Sequence, residues 1–97
     1  MFIFNIIILV MSMTKSENFY EKQEFVKTIK YNLRRITKES NLTVNELSIM
    51  IDLQFQSLAD MQSMTLLERY PSIETMRRIC IATNKDIEEF FKPIPKE

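Results

Sequence analysis

Four polar side chains in the middle of the chain, Gln54, Gln56, Ser57 and Asp60, have the chemistry of base recognition. A glutamine amide carries a donor beside an acceptor, so it can bond N6 and N7 of adenine at once. The serine hydroxyl can bond a base or a phosphate oxygen. The aspartate can accept from N4 of cytosine, or it can simply repel phosphate. These side-chain types can therefore contact base edges, and they also suit an ordinary solvated helix face.

The composition argues against an enzyme. The 97 residues include no His and no Gly, whereas acid–base catalysis usually recruits His and phosphate loops need Gly. Cys80 is the only cysteine, so an intrachain disulfide and the usual cysteine metal site are excluded. We expect a cytoplasmic protein that is not an enzyme and has no cofactor and no metal ion. Its 13 basic and 13 acidic residues cancel, so any attraction to a polyanion must be local.

Periodicity predicts that the chain folds into helices, since no strand pattern appears after Met13. From residue 25 onward, apolar residues recur at helical spacing and basic residues recur on the opposite face. The apolar face of this first helix comprises Phe25, Ile29, Leu33 and Ile36. The outer face comprises Lys27, Lys30, Arg34 and Lys38. The inward residues predicted for the later helices are Val44, Leu47, Ile51, Leu58, Met61, Ile73, Met76, Ile79, Cys80, Ile87, Phe90 and Phe91, with Phe55 as an optional member.

Capping residues mark where the predicted helices begin and end. Thr43 and Glu46 have the spacing of a capping box, and Asp86 and Glu89 repeat it. Ser72 can cap a fourth helix, whereas Gln54 is a poor cap for the third. Past three of the helix ends a left-handed residue is needed, and Gly is absent. We expect Asn41, Asp52 and Asn84 to take that conformation instead.

The two ends of the chain do not share this pattern. Residues 1–24 comprise an apolar segment too short to span a membrane and then a polar arm or a frayed helical lead-in. We interpret the apolar segment as the result of a start codon assigned too far upstream. The alternative is a short membrane-attached or partner-binding segment. We therefore predict a helical domain over residues 25–92 and a tail over residues 93–97, and do not expect membrane binding.

Two blocks of the sequence resemble the Cro/C1-type helix-turn-helix family, also called the XRE family. They are IKYNLRRITKESNLTVNELSIMIDL and YPSIETMRRICIATNKDIEEFF, and the resemblance runs from about residue 25 to residue 91. It implies a compact all-α, five-helix, lambda-repressor-like domain whose third helix enters the major groove. Asn41 and Asp52 stand where the family prefers Gly. The span from Leu47 to Pro71 is about three residues longer than usual, which we place within residues 63–70. In a second register, Leu67 to Arg69 would instead end the third helix.

The resemblance implies a transcriptional regulator that binds double-stranded DNA, commonly as a homodimer. Its recognition helix would span residues 54–62, and A·T-rich targets would suit its glutamines. Arg34 either contacts phosphate or pairs with Glu68, as the matching family arginine often pairs with a glutamate. The DNA-binding residues that we predict are Lys30, Arg34, Lys38, Thr43, Gln54, Phe55, Gln56, Ser57, Asp60 and Arg69.

A different class of function remains open. The neutral net charge, the acidic balance over residues 52–60 and the apolar loop residues Met64, Leu66 and Leu67 favour a repurposed helix-turn-helix fold. Such a module would bind a protein partner, as an antirepressor or small regulatory partner does, with weak or no DNA binding. The same loop residues could instead belong to a dimer interface or cover the core.

Overall fold

The computed structural model describes residues 21–95, which form an all-helical domain. The α-helices are α1 (Lys22–Glu39), α2 (Val44–Met50), α3 (Phe55–Gln62) and α4 (Ile73–Thr83). A 3-10 helix over Ile87–Phe91 follows them, and residues 21–95 contain no strand. The all-α prediction is confirmed, but the predicted five helices are four α-helices and one 3-10 helix. The predicted apolar N-terminal segment lies outside the described residues, as does most of the polar arm.

The core forms where α1 packs against α3 and the 3-10 helix, while α2 packs against α3 and α4. Each apolar side chain that is fully buried here contributes roughly 1.5–3 kcal/mol of stability. The predicted inward faces of α1, α2 and α3 are confirmed. The buried cluster comprises Ile29, Leu33, Ile36, Leu47, Ile51, Leu58, Met76, Ile79 and Phe90.

The helix starts follow the predicted capping chemistry in two cases out of three. The Thr43 hydroxyl accepts from the Glu46 amide at 3.0 Å, and the Glu46 carboxylate accepts from the Thr43 amide at 2.9 Å. Ser72 Oγ accepts from the Thr75 amide at 3.1 Å at the start of α4. The Asp86 prediction is wrong, because its side chain makes no cap bond. Its backbone carbonyl accepts from the Glu89 amide at 3.0 Å instead, as a 3-10 turn requires.

Asn41, Asp52 and Asn84 all take the left-handed conformation, with φ of 57°, 57° and 56°. This confirms the prediction that these residues replace Gly at the helix ends. At each corner the next amide donates to a carbonyl five residues back, as in a Schellman motif. The three bonds are Leu42 N to Thr37 O at 3.2 Å, Leu53 N to Ser48 O at 2.9 Å and Lys85 N to Cys80 O at 3.0 Å.

The connection between α3 and α4 contains the extra length. Helix α3 ends at Gln62, and residues 63–72 are irregular, so the first predicted register is confirmed and the second is wrong. Two weak turns organise it, with the Leu66 amide bonded to Ser63 and the Arg69 amide bonded to Leu66.

Three residues predicted to face inward are exposed. Ile73 is 79% exposed because the first turn of α4 lies at the rim of an open groove against the start of α1. In the last helix, Ile87, Phe90 and Phe91 were all expected to face inward. Ile87 and Phe91 are 46% and 37% exposed, and only Phe90 is fully buried. A 3-10 helix has three residues per turn, so Phe91 falls about 120° away from Phe90. This explains the exposure of Phe91 but not that of Ile87, which is on the same side as Phe90.

Candidate nucleic-acid interface

The corner between α2 and α3 sets the direction of the predicted recognition helix. Helix α2 ends at Met50, and Asp52 reverses the chain in its left-handed conformation. Leu53 is partly buried against the core, and Gln54 then precedes α3. Buried Leu47 and Leu58 belong to the same core cluster, so the two helices are held as one unit. This is the geometry of a helix-turn-helix.

The first turn of α3 presents side chains that can contact bases. Gln54, Phe55 and Gln56 are exposed, and the Phe55 ring is 50% exposed. The predicted inward role for Phe55 is therefore not what the structure shows. Ser57 is half-buried beside them. The structure brings these four residues together at the N-terminal end of α3, before the buried Leu58.

Asp60 lies one turn after Gln56 and contacts it. The Gln56 amide Nε2 donates to Asp60 Oδ1 at 2.8 Å. A carboxylate only accepts, so this bond fixes which side of the amide faces Asp60. The Gln56 Oε1 atom and one N–H remain for another partner. These are the acceptor and donor that adenine N6 and N7 require.

Two of the predicted phosphate contacts lie on the exposed side of α1. Arg34 and Lys38 are exposed and form no ion pair with any residue in the range 21–95. The predicted Arg34–Glu68 pair is absent there, and the neighbouring Arg35 pairs with Glu39 at 2.9 Å and Glu89 at 3.2 Å. A groove between α1 and the start of α2, which we call the α1–α2 groove, contains both free cations. Its other lining residues include Tyr31, Thr37, Thr43 and Gln62.

Lys30 was predicted on the same outer face, and that prediction is wrong. The side chain is fully buried, and its Nζ donates to the backbone carbonyls of Asp60 at 3.0 Å, Leu66 at 2.7 Å and Arg69. Helical spacing places Lys30 near the other cations, but the connection of residues 63–72 folds over it. A side chain enclosed in this way cannot contact a phosphate.

Thr43 and Arg69 are both exposed, but they differ in the hydrogen-bond donors that a phosphate could use. The Thr43 oxygen accepts from the Glu46 amide, and the Thr43 hydroxyl also interacts with the Glu46 carboxylate, so a phosphate would compete with that carboxylate for the hydroxyl hydrogen. Glu46 supplies the negative charge at the start of α2, and the hydrogen bond from the Thr43 backbone lowers the pKa of its carboxyl. The Arg69 guanidinium is exposed, while its backbone is tied to Lys30 beside the end of α3.

Two groove residues were missed in the sequence. Tyr31 lies three and seven residues before Arg34 and Lys38, so helical spacing alone could have placed it on their face. Gln62 gave no such signal. Its Nε2 donates to the Thr37 hydroxyl at 3.0 Å, a contact between residues 25 apart that ties the end of α3 to α1.

Other kinds of site are not apparent within residues 21–95. No group of three or more potential metal-binding side chains comes together in that range. None of the helices in that range has the length and apolarity that crossing a membrane demands. Cys80 is half-buried, and burial raises the pKa of its thiol, which makes it a poor nucleophile.

Comparison with known proteins gives one positive finding. No curated protein and no solved structure matches the chain. Residues 32–96, more than half of the chain, match the model of the Cro/C1-type HTH DNA-binding domain. That range contains the second part of α1, from Asn32 to Glu39, the whole helix-turn-helix and the named residues of the α1–α2 groove except Tyr31. The chain therefore belongs to the Cro/C1-type helix-turn-helix DNA-binding domain family.

Proposed function

We propose that this protein is a cytoplasmic, sequence-specific transcriptional regulator whose α3 helix reads bases in the major groove. The observation that supports it most is the exposed first turn of α3, where Gln54, Phe55 and Gln56 follow one another. Membership of a DNA-binding family supports DNA as the partner. In a helix-turn-helix the second helix of the motif, which is α3 here, approaches base edges with its first turn.

The chemistry of this turn favours A·T pairs. Each glutamine amide can bond adenine through two hydrogen bonds, and an aromatic ring can contact the thymine methyl group. The bond to Asp60 leaves Gln56 with the Oε1 acceptor and the N–H that such a contact uses. Each such contact contributes about 1–3 kcal/mol of discrimination against the wrong base. In this proposal Asp60 orients a reading residue, and neither reads cytosine nor repels phosphate.

Affinity would come from a different part of the surface. Helix α3 carries no Lys or Arg, so the phosphate contacts fall to Arg34 and Lys38 in the α1–α2 groove, to the hydroxyls of Tyr31 and Thr43, and to Arg69. Neutralised phosphates give protein–DNA affinity its salt dependence. With few cations and a net charge of zero, the protein should bind non-specific DNA weakly.

We further propose that the active species is a homodimer. A helix of eight residues reads only a few base pairs, and a second copy on a neighbouring half-site doubles the recognised length. The half-sites would then be inverted repeats about one helical turn apart, roughly 10 base pairs centre to centre. Sedimentation of the protein with and without DNA measures the number of copies in each state.

Selection of duplexes from a randomised pool by the full chain tests the proposal without a known operator. We expect an enriched A·T-rich motif, whose affinity falls with salt at a slope of about −0.9 per neutralised phosphate. Gln54→Ala and Gln56→Ala should each relax the motif at a different position. A pool that stays random after repeated rounds would contradict sequence-specific recognition.

One observation favours the alternative, a protein-interaction module. Ile49, Met50 and Ile81 are 72%, 53% and 68% exposed, and large exposed apolar side chains are common at protein contacts. Of the loop residues, Leu66 is 43% exposed, while Met64 and Leu67 are half-buried. The same selection separates the two functions, since the alternative predicts no enriched motif and no DNA complex even at low salt.

A further inference from the structure

Lys30 has an unusual position for a lysine. It is in the middle of α1, it is fully buried, and an ammonium group has three N–H donors. All three donors are used, by the carbonyls of Asp60, Leu66 and Arg69. Lysines are rarely fully buried unless they are paired. The partners of this one are backbone carbonyls of a helix end and a loop.

The three carbonyls explain why a charge is stable here. Asp60 is in the last turn of α3, where carbonyls lack a helical partner and a positive charge is favourable. Leu66 and Arg69 belong to residues 63–72, which have few backbone bonds of their own. The connection therefore folds around the ammonium group. Burial lowers the pKa of Lys30, and the negative charge of Asp60 opposes that shift.

Asp60 links this buried group to the exposed surface. Its carbonyl accepts from Lys30 Nζ at 3.0 Å, and its carboxylate accepts from Gln56 Nε2 at 2.8 Å. A continuous series of hydrogen bonds thus runs from α1 through the end of α3 to a side chain that faces outward. Asp60 is thus the residue through which Lys30 and Gln56 are connected.

We propose that Lys30 is a positioning residue for base recognition. It holds residues 63–72 and the last turn of α3 against α1, so that Gln56 meets its base in one orientation. This inference rests on the proposed function of α3 as the reading helix. This role takes the place of the direct phosphate contact that the sequence predicts for Lys30. The ammonium group is enclosed and has no N–H donor left for a phosphate.

Lys30→Met in the full chain tests the inference, since methionine keeps the apolar stem and removes the ammonium. Three quantities are measured. The first is the hydrogen exchange of the amides in residues 63–72, and the second is the ratio of the affinities for the selected duplex and for a duplex changed at the adenine assigned to Gln56. The third is the slope of log affinity against log salt concentration. We expect faster exchange, a ratio that falls by about tenfold, and an unchanged salt slope. Lys27→Met is the matched control, because Lys27 is on the same helix, partly exposed and paired with Glu24. It should leave all three quantities unchanged.

Asp60→Ala cuts the same series of bonds at its second step and leaves the buried lysine in place. It should lower the affinity ratio as Lys30→Met does, with normal exchange in residues 63–72. If Lys30→Met fails to fold, Lys30→Gln, whose amide keeps two N–H donors without the charge, is measured in its place with the same three quantities. A salt slope that becomes shallower by about 0.9 in Lys30→Met would indicate a direct phosphate contact and overturn the inference.

The outcomes also separate this inference from the proposed function. A wild-type preference for the selected duplex that both variants retain would overturn the role of Lys30 alone. A wild-type chain without any sequence preference would overturn the proposed function, and the inference would fall with it.

Discussion

Helix α3 and the α1–α2 groove both serve DNA binding in the proposed function, but they carry different chemistry. The first turn of α3 exposes two amides and an aromatic ring, and the whole helix has no cation. The groove exposes Arg34 and Lys38, which have no ion-pair partner among residues 21–95. The difference teaches that, if α3 is the recognition helix we propose, its phosphate contacts must come from another element. Specificity and affinity can then be altered separately, and the predictions below use that separation.

The largest expected effect comes from Leu58→Ala, which detaches α3 from the core. Leu58 is fully buried among α1 and α2 residues, so its loss should cost about 2–5 kcal/mol of unfolding free energy. Urea denaturation followed by circular dichroism measures it. Phe55→Ala on the same helix removes a half-exposed ring and should cost much less stability while it weakens DNA binding. Equal losses of stability in the two variants would contradict the assignment of inner and outer faces.

The next effect concerns the groove. Arg34→Gln and Lys38→Gln, separately and together, should make the salt slope shallower by about 0.9 per cation removed. Affinity should fall for every sequence, while the ratio between selected and random duplex stays constant, because phosphate contacts carry no sequence information. Fluorescence anisotropy at several salt concentrations measures both quantities.

Arg77→Gln is the matched control for these two cations. Arg77 is an exposed arginine on α4, bonded to Glu74 at 2.8 and 2.9 Å, and the substitution removes the same charge. It should leave the slope unchanged. A slope that changed as much as in Arg34→Gln would mean that net charge, and not contact in the groove, controls affinity.

A smaller effect is expected at the corner where α1 meets α2. Thr43→Ala removes the hydroxyl that accepts from the Glu46 amide and should cost about 1 kcal/mol of stability. It should also weaken DNA binding modestly through the lost hydroxyl donor. Thr43→Ser keeps the hydroxyl and should restore both quantities. If Thr43→Ser behaved like Thr43→Ala, the role of the cap would be disproved.

The smallest expected effect lies away from both regions. Hydrogen bonds from Arg77 and Arg78 lower the pKa of Glu74 from 4.5 to about 2. A lowered folded-state pKa stabilises the fold above pH 4.5, and that contribution is lost as the pH falls towards 2. In scans of Tm against pH, Glu74→Gln should show a smaller fall over this window than the wild type. Glu88→Gln changes an exposed carboxylate without an ion pair among residues 21–95, and should follow the wild-type curve.

Local features of the fold were readable from the sequence because they depend on neighbours in the chain. The capping box at Thr43 and Glu46 and the left-handed Asn41, Asp52 and Asn84 all arise within six residues. The apolar faces of α1 and α2 follow from helical spacing, which fixes the side-chain direction whatever the partner. The all-α architecture follows from these features together.

Features that depend on distant segments were not readable. Lys30 has the spacing of an exposed cation, and only the fold of residues 63–72 encloses it. Gln62 contacts Thr37 across 25 residues, and Arg35 rather than Arg34 reaches Glu89 across 54. Ile73 has core-like spacing but lies at the open rim of a groove. In each case tertiary packing decided the outcome, and spacing carried no information about it.

The most direct test of the account is a cycle between Gln56 and the N7 atom of adenine. Each adenine of the selected site is replaced in turn by 7-deazaadenine, which lacks that acceptor, and the affinities of wild type and Gln56→Ala are compared. We predict that wild type loses about tenfold at each adenine contacted by a glutamine, and that Gln56→Ala loses nothing more at one of them. Additive losses at every adenine, or no loss at any of them, would contradict the claim that the α3 helix, which has no Lys or Arg, reads the bases.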